Sequence, residues 1–349
     1  MKITNILYLF LYINIVMASV IHAMEQPNKQ HQTELSRRIY PSNLPLLLYF
    51  GGREDKSCLN KLPNELIAEI INHIRKIQND QDLLNARNDR NLLEAAKDND
   101  KDEIRWLLNE PYIDANVKDK YGNTALTWAV VYNNLEIIQI LLDKGANLDI
   151  QDKHGETALI WTASKNNPKM VQILLDKGAN PNMQDNRGDT ALIWAVINNN
   201  PEIVKMLLDK GTNSDMQDIE ERTPLIWAVI NDNPRMVQIL LDKGANSDIK
   251  DIEGRTPLIW AVINNDPEIV QMLLDANANP DIPDRDGWTA LNWAVRNKNL
   301  EIIELLLNYG ADRCTAINLA WCLNNQKIIN LFMANERKHA AYDVGTSGS

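Results

Sequence analysis

Six tryptophans, Trp128, Trp161, Trp194, Trp227, Trp260 and Trp293, stand at uniform steps of 33 residues. They are six of the nine in the chain, so the spacing marks a repeat rather than a coincidence. Around each lies one phrase with small changes: GNTALTWAV, GETALIWTA, GDTALIWAV, ERTPLIWAV, GRTPLIWAV and GWTALNWAV. A second apolar block such as PEIVKMLLDKG follows, then a polar ANxDIxD stretch. A fixed period of this length predicts units that stack side by side, each touching only its neighbours. Chain length alone would suggest about two domains; the period overrides it.

Within one unit the apolar positions define two helices. Leu192, Ala195 and Val196 fall three and four apart, on one helical face, and Ile203, Val204, Leu207 and Leu208 do the same for a second helix. Between them, Asn199 suits a left-handed residue that ends the first helix. Asn200 offers an N-cap acceptor, and Pro201 is pre-set for the first turn of the second. Gly145, Gly178, Gly211, Gly244 and Gly310, with Asn277 as substitute, stop the second helix. The polar stretch opening at Asp185 reads as a turn or short hairpin.

The phrase and the period resemble the ankyrin repeat, with its T-P-L-H-x-A signature, over roughly 250 residues. The signature His is replaced by Thr127, Ile160, Ile193, Ile226, Ile259 and Asn292. The resemblance implies an all-α fold, an ankyrin-repeat solenoid of stacked helix-turn-helix units with short hairpin or turn fingers. Full repeats are expected at 119–151, 152–184, 185–217, 218–250, 251–283 and 284–313, within an array spanning 86–337. Residues 86–118 form a degenerate first repeat with Glu94 in place of Trp. Ala320 follows Ala294 by 26 residues, so the last unit, 314–337, lacks seven residues of its turn and closes the stack as a bare helix pair. Residues 338–349 are expected to be a disordered tail.

Ahead of the array, residues 1–23 resemble a secretory signal peptide, with an apolar run from Ile6 to Ala18 and small residues at Ala18 and Ala23. Asn5 and Asn14 interrupt the run and favour cleavage over an uncleaved membrane anchor. Cleavage predicts a secreted or periplasmic protein that is free of the membrane; retention predicts a membrane-anchored one. A polar and apolar arm, 24–57, leads to 58–85, where Leu62, Pro63, Leu66 and Ile70 are spaced as at the start of an F-box. That resemblance implies docking on a Skp1-type ubiquitin-ligase component through residues 59–74. The same spacing fits an amphipathic helix that covers the first repeat, and both readings stand.

Little in the chain suggests chemistry. The motifs CxxC, HExxH and GxxxxGK[ST] are absent, and His154 is a lone turn residue. Three cysteines cannot make a disulfide scaffold, and Cys314 and Cys322 read as packed thiols rather than metal ligands. The turn aspartates Asp119, Asp152, Asp185, Asp218, Asp251 and Asp284 read as turn organisers. No catalytic residue, metal or cofactor is expected. A net charge of −11 argues against nucleic acid, which leaves another protein, of host origin if the chain is exported by a host-associated microbe. The resemblance places partner contacts on the turns and first helices, the concave face. They are Lys120, Tyr121, Asn123, Val131 and Tyr132 in the first full repeat. In the central repeats they are Arg187, Ile197, Asn198, Ile219, Glu220, Arg222, Ile230, Asn231, Ile252, Glu253, Arg255, Ile263 and Asn264, and in the last Arg285, Asp286, Trp288, Arg296 and Asn297. The tryptophans themselves are expected to be half-buried between helices.

Overall fold

The structure, a computed structural model, describes residues 91–109 and 113–335. Two compact units divide the chain: residues 1–90 with 106–113, and residues 91–105 with 114–349. The signal-like segment, the arm, the segment 58–85 with Leu62, Pro63, Leu66 and Ile70, and the tail 338–349 lie outside the described residues. All six full repeats belong to the second unit.

Helix pairs recur at the 33-residue period. After helical residues 91–97 (α1) and Lys101–Leu107 (α2) come Ala125–Val131 (α3) and Leu135–Asp143 (α4), then Ala158–Ser164 (α5) and Pro168–Asp176 (α6). The series continues with Ala191–Ile197 (α7), Pro201–Asp209 (α8), Pro224–Ile230 (α9), Pro234–Asp242 (α10), Pro257–Ile263 (α11) and Pro267–Asp275 (α12). Ala290–Asn297 (α13), Leu300–Asn308 (α14), Cys314–Cys322 (α15) and helical residues 326–335 (α16) complete it. First helices pack on first helices and second helices on second helices, giving two layers. Among the described residues the turns form no strand; a single isolated bridge, Gln184 with Thr190, is the nearest to a hairpin.

The local punctuation explains why the helices start and stop where they do. Asn167, Asn200, Asn233 and Asp266 cap second helices by accepting from the third residue on, with Pro at the first turn. Asn199 has φ 53° and ends the first helix, and Asn277 has φ 63° where other repeats place Gly. Thr157, Thr190, Thr223 and Thr256 cap first helices through their hydroxyls. The missing signature His follows from this. Ile160, Ile193, Ile226 and Ile259 are buried to 1% or less and fill the core, whereas Thr127 and Asn292 close capping boxes with Thr124 and Thr289.

The predicted apolar faces are the core. Leu192, Ala195, Val196, Ile203, Val204 and Leu207 are all buried to 1% or less, and Leu208 is half-buried. Each large aliphatic side chain so placed stabilises the fold by about 1.5–3 kcal/mol, but a helix of seven to nine residues gains it only against a neighbouring pair.

Two side-chain ladders, invisible in a single repeat, cross between units. Asn147, Asn180, Asn213, Asn246 and Asn279 each donate their backbone N–H to the side-chain oxygen of a residue 31 positions earlier. The capping Asn200, Asn233 and Asn299 donate their amides to Asn166, Asn199 and Asn265 at the preceding helix end. One expectation fails: Cys314 and Cys322 are exposed, not packed, at the two ends of α15, where the described residues leave them uncovered.

Candidate functional site

Each finger is built around its aspartate. One oxygen of Asp251 accepts the backbone N–H of Glu253 (2.9 Å) and of Arg255 (2.8 Å), and the other accepts the indole N–H of Trp260 (2.8 Å). The backbone pair recurs at Asp119, Asp152, Asp185, Asp218 and Asp284. The indole bond recurs in five of the six repeats, the others being Trp128, Trp194, Trp227 and Trp293. The repeated tryptophan therefore clamps the finger to its own helix. At Asp119, burial pushes the carboxyl up, but the N–H groups of Tyr121 and Asn123, the Trp128 indole and Lys97 outweigh it and hold it below the usual range.

The open face of each indole carries a cation. Arg187, Arg222 and Arg255 lie 4.8, 5.1 and 5.0 Å from the centroids of Trp194, Trp227 and Trp260. Arg255 also reaches Trp293 at 5.8 Å, and Arg296 sits over both Trp293 and Trp288. Carboxylates complete the stacks: Asp189 pairs with Arg187 at 3.2 Å, Glu220 with Arg222 and Glu253 with Arg255. Within this face Asp189 is unusual. Burial, then Asp185, raise its carboxyl to about 6 although Arg187 opposes them, and Asp218 and Glu220 add to the rise. Burial likewise raises Glu156, with Asp152 and Asp185 adding to it.

The residues singled out by sequence thus divide. Arg187, Arg222, Arg255 and Arg296 are on the face but committed to the tryptophans. Asn198, Asn264 and Asn297 donate their amides to the carbonyls of Ala163 and Ser164, Val229, and Val262, tying each first helix to the end of the one before. Ile197, Ile230 and Ile263 are half-buried beside them, and Asn231 is exposed. Tyr121 (55% exposed, with the Lys120 ammonium 4.8 Å from its ring centroid), Ile219 (64%) and Ile252 (40%) are exposed at finger tips, and Tyr132 stacks on Trp128 with ring centroids 6.2 Å apart. Trp288 is half-buried, 5.3 Å from Trp293. The clamp and the stacks escape sequence reading because they join residues whose proximity depends on the folded turn; the signal available was the joint recurrence of Asp and Trp nine apart.

Fingers also bond to each other. The backbone N–H of Lys153, Asn186, Ile219, Ile252 and Arg285 donates to the carbonyl of Tyr121, His154, Arg187, Glu220 and Glu253 respectively, at 2.9–3.0 Å. Among the described residues no group of His, Cys, Asp and Glu is placed to hold a metal ion, and no helix is long and apolar enough to cross a membrane.

Paired helices, fingers in register and a capped stack define a repeat solenoid. The family model for ankyrin repeats (three copies) matches residues 57–152, 144–218, 211–284 and 265–343, and the chain belongs to the ankyrin-repeat family. The first of these matches takes in 58–85, the segment also read as F-box-like. The ankyrin repeat domain of Bcl-3, described as a unique member of the IkappaB protein family, is similar with a TM-score of 0.57 and 27% identity, over 62% of this chain and 97% of that one. A stretch of 108 residues, 31% of the chain, is 30% identical to the E3 ubiquitin-protein ligase Ufd4 of Drosophila melanogaster, and spans 4% of that protein's length. Ankyrin repeats form protein-interaction scaffolds, and this chain has the architecture of one.

Proposed function

We propose that the chain is a non-catalytic scaffold that holds one partner protein on the face formed by its finger tips and first helices. The observation that carries this is the row of exposed apolar tips, Tyr121, Ile219 and Ile252, mounted on fingers that hydrogen bonds hold rigid. Large apolar groups on a preorganised support lose little entropy on binding and make good anchors. The arginines contribute by pinning the platform rather than by reaching outward. Tyr121→Ser, Ile219→Ser and Ile252→Ser combined tests it. The variant should keep its thermal transition and lose the proteins that wild type captures reproducibly from a lysate, quantified by mass spectrometry. An unchanged captured set counts against this face.

A second reading rests on residues 59–74, whose spacing resembles an F-box, and on the stretch of similarity to a protein named as a ubiquitin ligase. In it Leu62, Pro63, Leu66 and Ile70 recruit a Skp1-type component and the array selects the substrate. Purified Skp1-type protein binding wild type, and not Leu62→Ala with Pro63→Ala, supports it. Export through residues 1–23 is a separate proposal: the mature chain would start at Ser19 or Met24 and meet a host partner, which intact-mass measurement of the secreted protein checks.

A further inference from the structure

Each internal finger is covered by the next. A Cβ placed on Gly122, Gly155, Gly188 or Gly254 would lie 2.6–2.9 Å from the backbone of the following finger. At the same junctions the carbonyl two residues past the turn Asp accepts that finger's N–H. The last full finger differs on both counts. A Cβ on Gly287 would meet nothing within 4 Å, and among the described residues no backbone N–H reaches the carbonyl of Asp286. The cause is the seven-residue deletion, which takes the chain from α14 through residues 309–313 straight into α15. What the absent finger would have filled is a cleft of about 370 Å³ between Asp286, Gly287 and Trp288 on one side and Thr315, Leu319 and Cys322 on the other.

We propose that this cleft is a docking site for an extended segment of a partner protein that takes the place of the absent finger. Its backbone N–H donates to the Asp286 carbonyl, a short residue lies on Gly287, and an apolar side chain rests against Trp288 and Leu319. The internal junctions define this occupant: all five show that one hydrogen bond, and at the four with Gly a turn backbone covers the same surface. Recognition through an unpaired backbone edge is an established mode of peptide capture. A second copy of this chain does not suit the cleft: a complete repeat brings its own first helix, and α15 already packs on α13 where that helix would go. The site lies at the end of the array, so it stands or falls separately from the finger-tip face.

The two free thiols among the described residues give an internal control. Cys322 lines the cleft, and Cys314, at the other end of α15, does not. As probe we choose a capped synthetic peptide with the sequence of residues 249–256, one internal finger, added to the full chain while its cysteines are alkylated, with Cys314 and Cys322 followed separately by peptide mass spectrometry. The expected result is slower alkylation of Cys322 alone, about threefold when free peptide is at twice its Kd. Gly287→Asn, which tolerates the left-handed backbone and fills the open space, should abolish the protection while leaving circular dichroism unchanged. Restoring the seven missing residues in cis should protect Cys322 without peptide. Equal slowing of both thiols, no slowing at millimolar peptide, or protection that survives Gly287→Asn overturns the proposal.

Discussion

The third and fifth full fingers place the same two charges at the same two positions in opposite order. In the fifth, Glu253 stands two residues after the turn Asp and Arg255 four; in the third, Arg187 stands two after and Asp189 four. The four-after position faces inward. Arg255 there keeps 23% of its side chain exposed and rests between Trp260 and Trp293, while Glu253 stays in water. Asp189 in the same slot is 8% exposed and has no π face that favours it, so it is pushed towards the neutral form while Arg187 covers the indole from outside, 58% exposed. The slot therefore favours a cation and penalises an anion, because indole faces attract positive charge and burial removes the water a carboxylate needs.

The largest test removes the hub in both fingers. Asp251→Ala strands two backbone N–H groups and an indole N–H and should cost about 3 kcal/mol, read from the denaturant midpoint. Asp185→Ala should cost about 1 kcal/mol less, since it also relieves repulsion on Asp189. Equal losses would break the comparison.

Next comes Asp189→Asn. The folded carboxyl titrates at about 6 against 3.8 for an unperturbed one. The fold thus holds the proton to higher pH than the unfolded chain does, and this site's contribution to stability is lost as pH rises from about 4 to about 6 and is flat above. The gap corresponds to at most about 3 kcal/mol. Allowing for the lost pair with Arg187, Asp189→Asn should stabilise by about 2 kcal/mol at pH 7 and by nothing below pH 4. Midpoints measured across that range decide it; a pH-independent difference would mean that packing, not ionisation, governs the slot.

Arg255→Ala should cost about 1–2 kcal/mol and Arg187→Ala no more than about 0.5 kcal/mol, the difference reflecting desolvation of the cation–π contact. The smallest effect belongs to the fourth finger, where Glu221 occupies the Gly position with φ 59°. Glu221→Gly should raise the midpoint by a few tenths to about 1 kcal/mol, less the entropy Gly gains when unfolded. A lower midpoint would show that the Glu221 side chain contributes something that outweighs the strain.

These cases also show what a sequence discloses. The left-handed positions, the Asn and Pro punctuation, the shortened last turn and the strain at Glu221 are properties of residues next to one another, and they could be read directly. Whether Arg255 reaches a partner or a tryptophan could not, because that depends on which side chains 5 to 38 positions apart meet after folding. The same blindness hid the role of Asn264, whose amide serves the neighbouring helix 35 residues back. It also misplaced Cys314 and Cys322, whose exposure depends on which neighbours the folded helix pair brings to them. Within the set that the resemblance placed on the concave face, the tips Tyr121, Ile219 and Ile252 are large apolar side chains that stay exposed.

Two of the recurring bonds that join one unit to another hold a constant offset, 31 for the Asn and Asp ladder and 32 for the fingers. Such bonds fix pitch and register but say nothing about number. Excising residues 185–217 would bring Ile219 to the carbonyl of His154 with no bond pattern altered, whereas dropping one residue inside a unit would shift both of its borders out of phase. The array is in this sense a ruler whose marks are set by chemistry and whose length is left open, so that reach can change in whole units while the spacing of the tips stays the same.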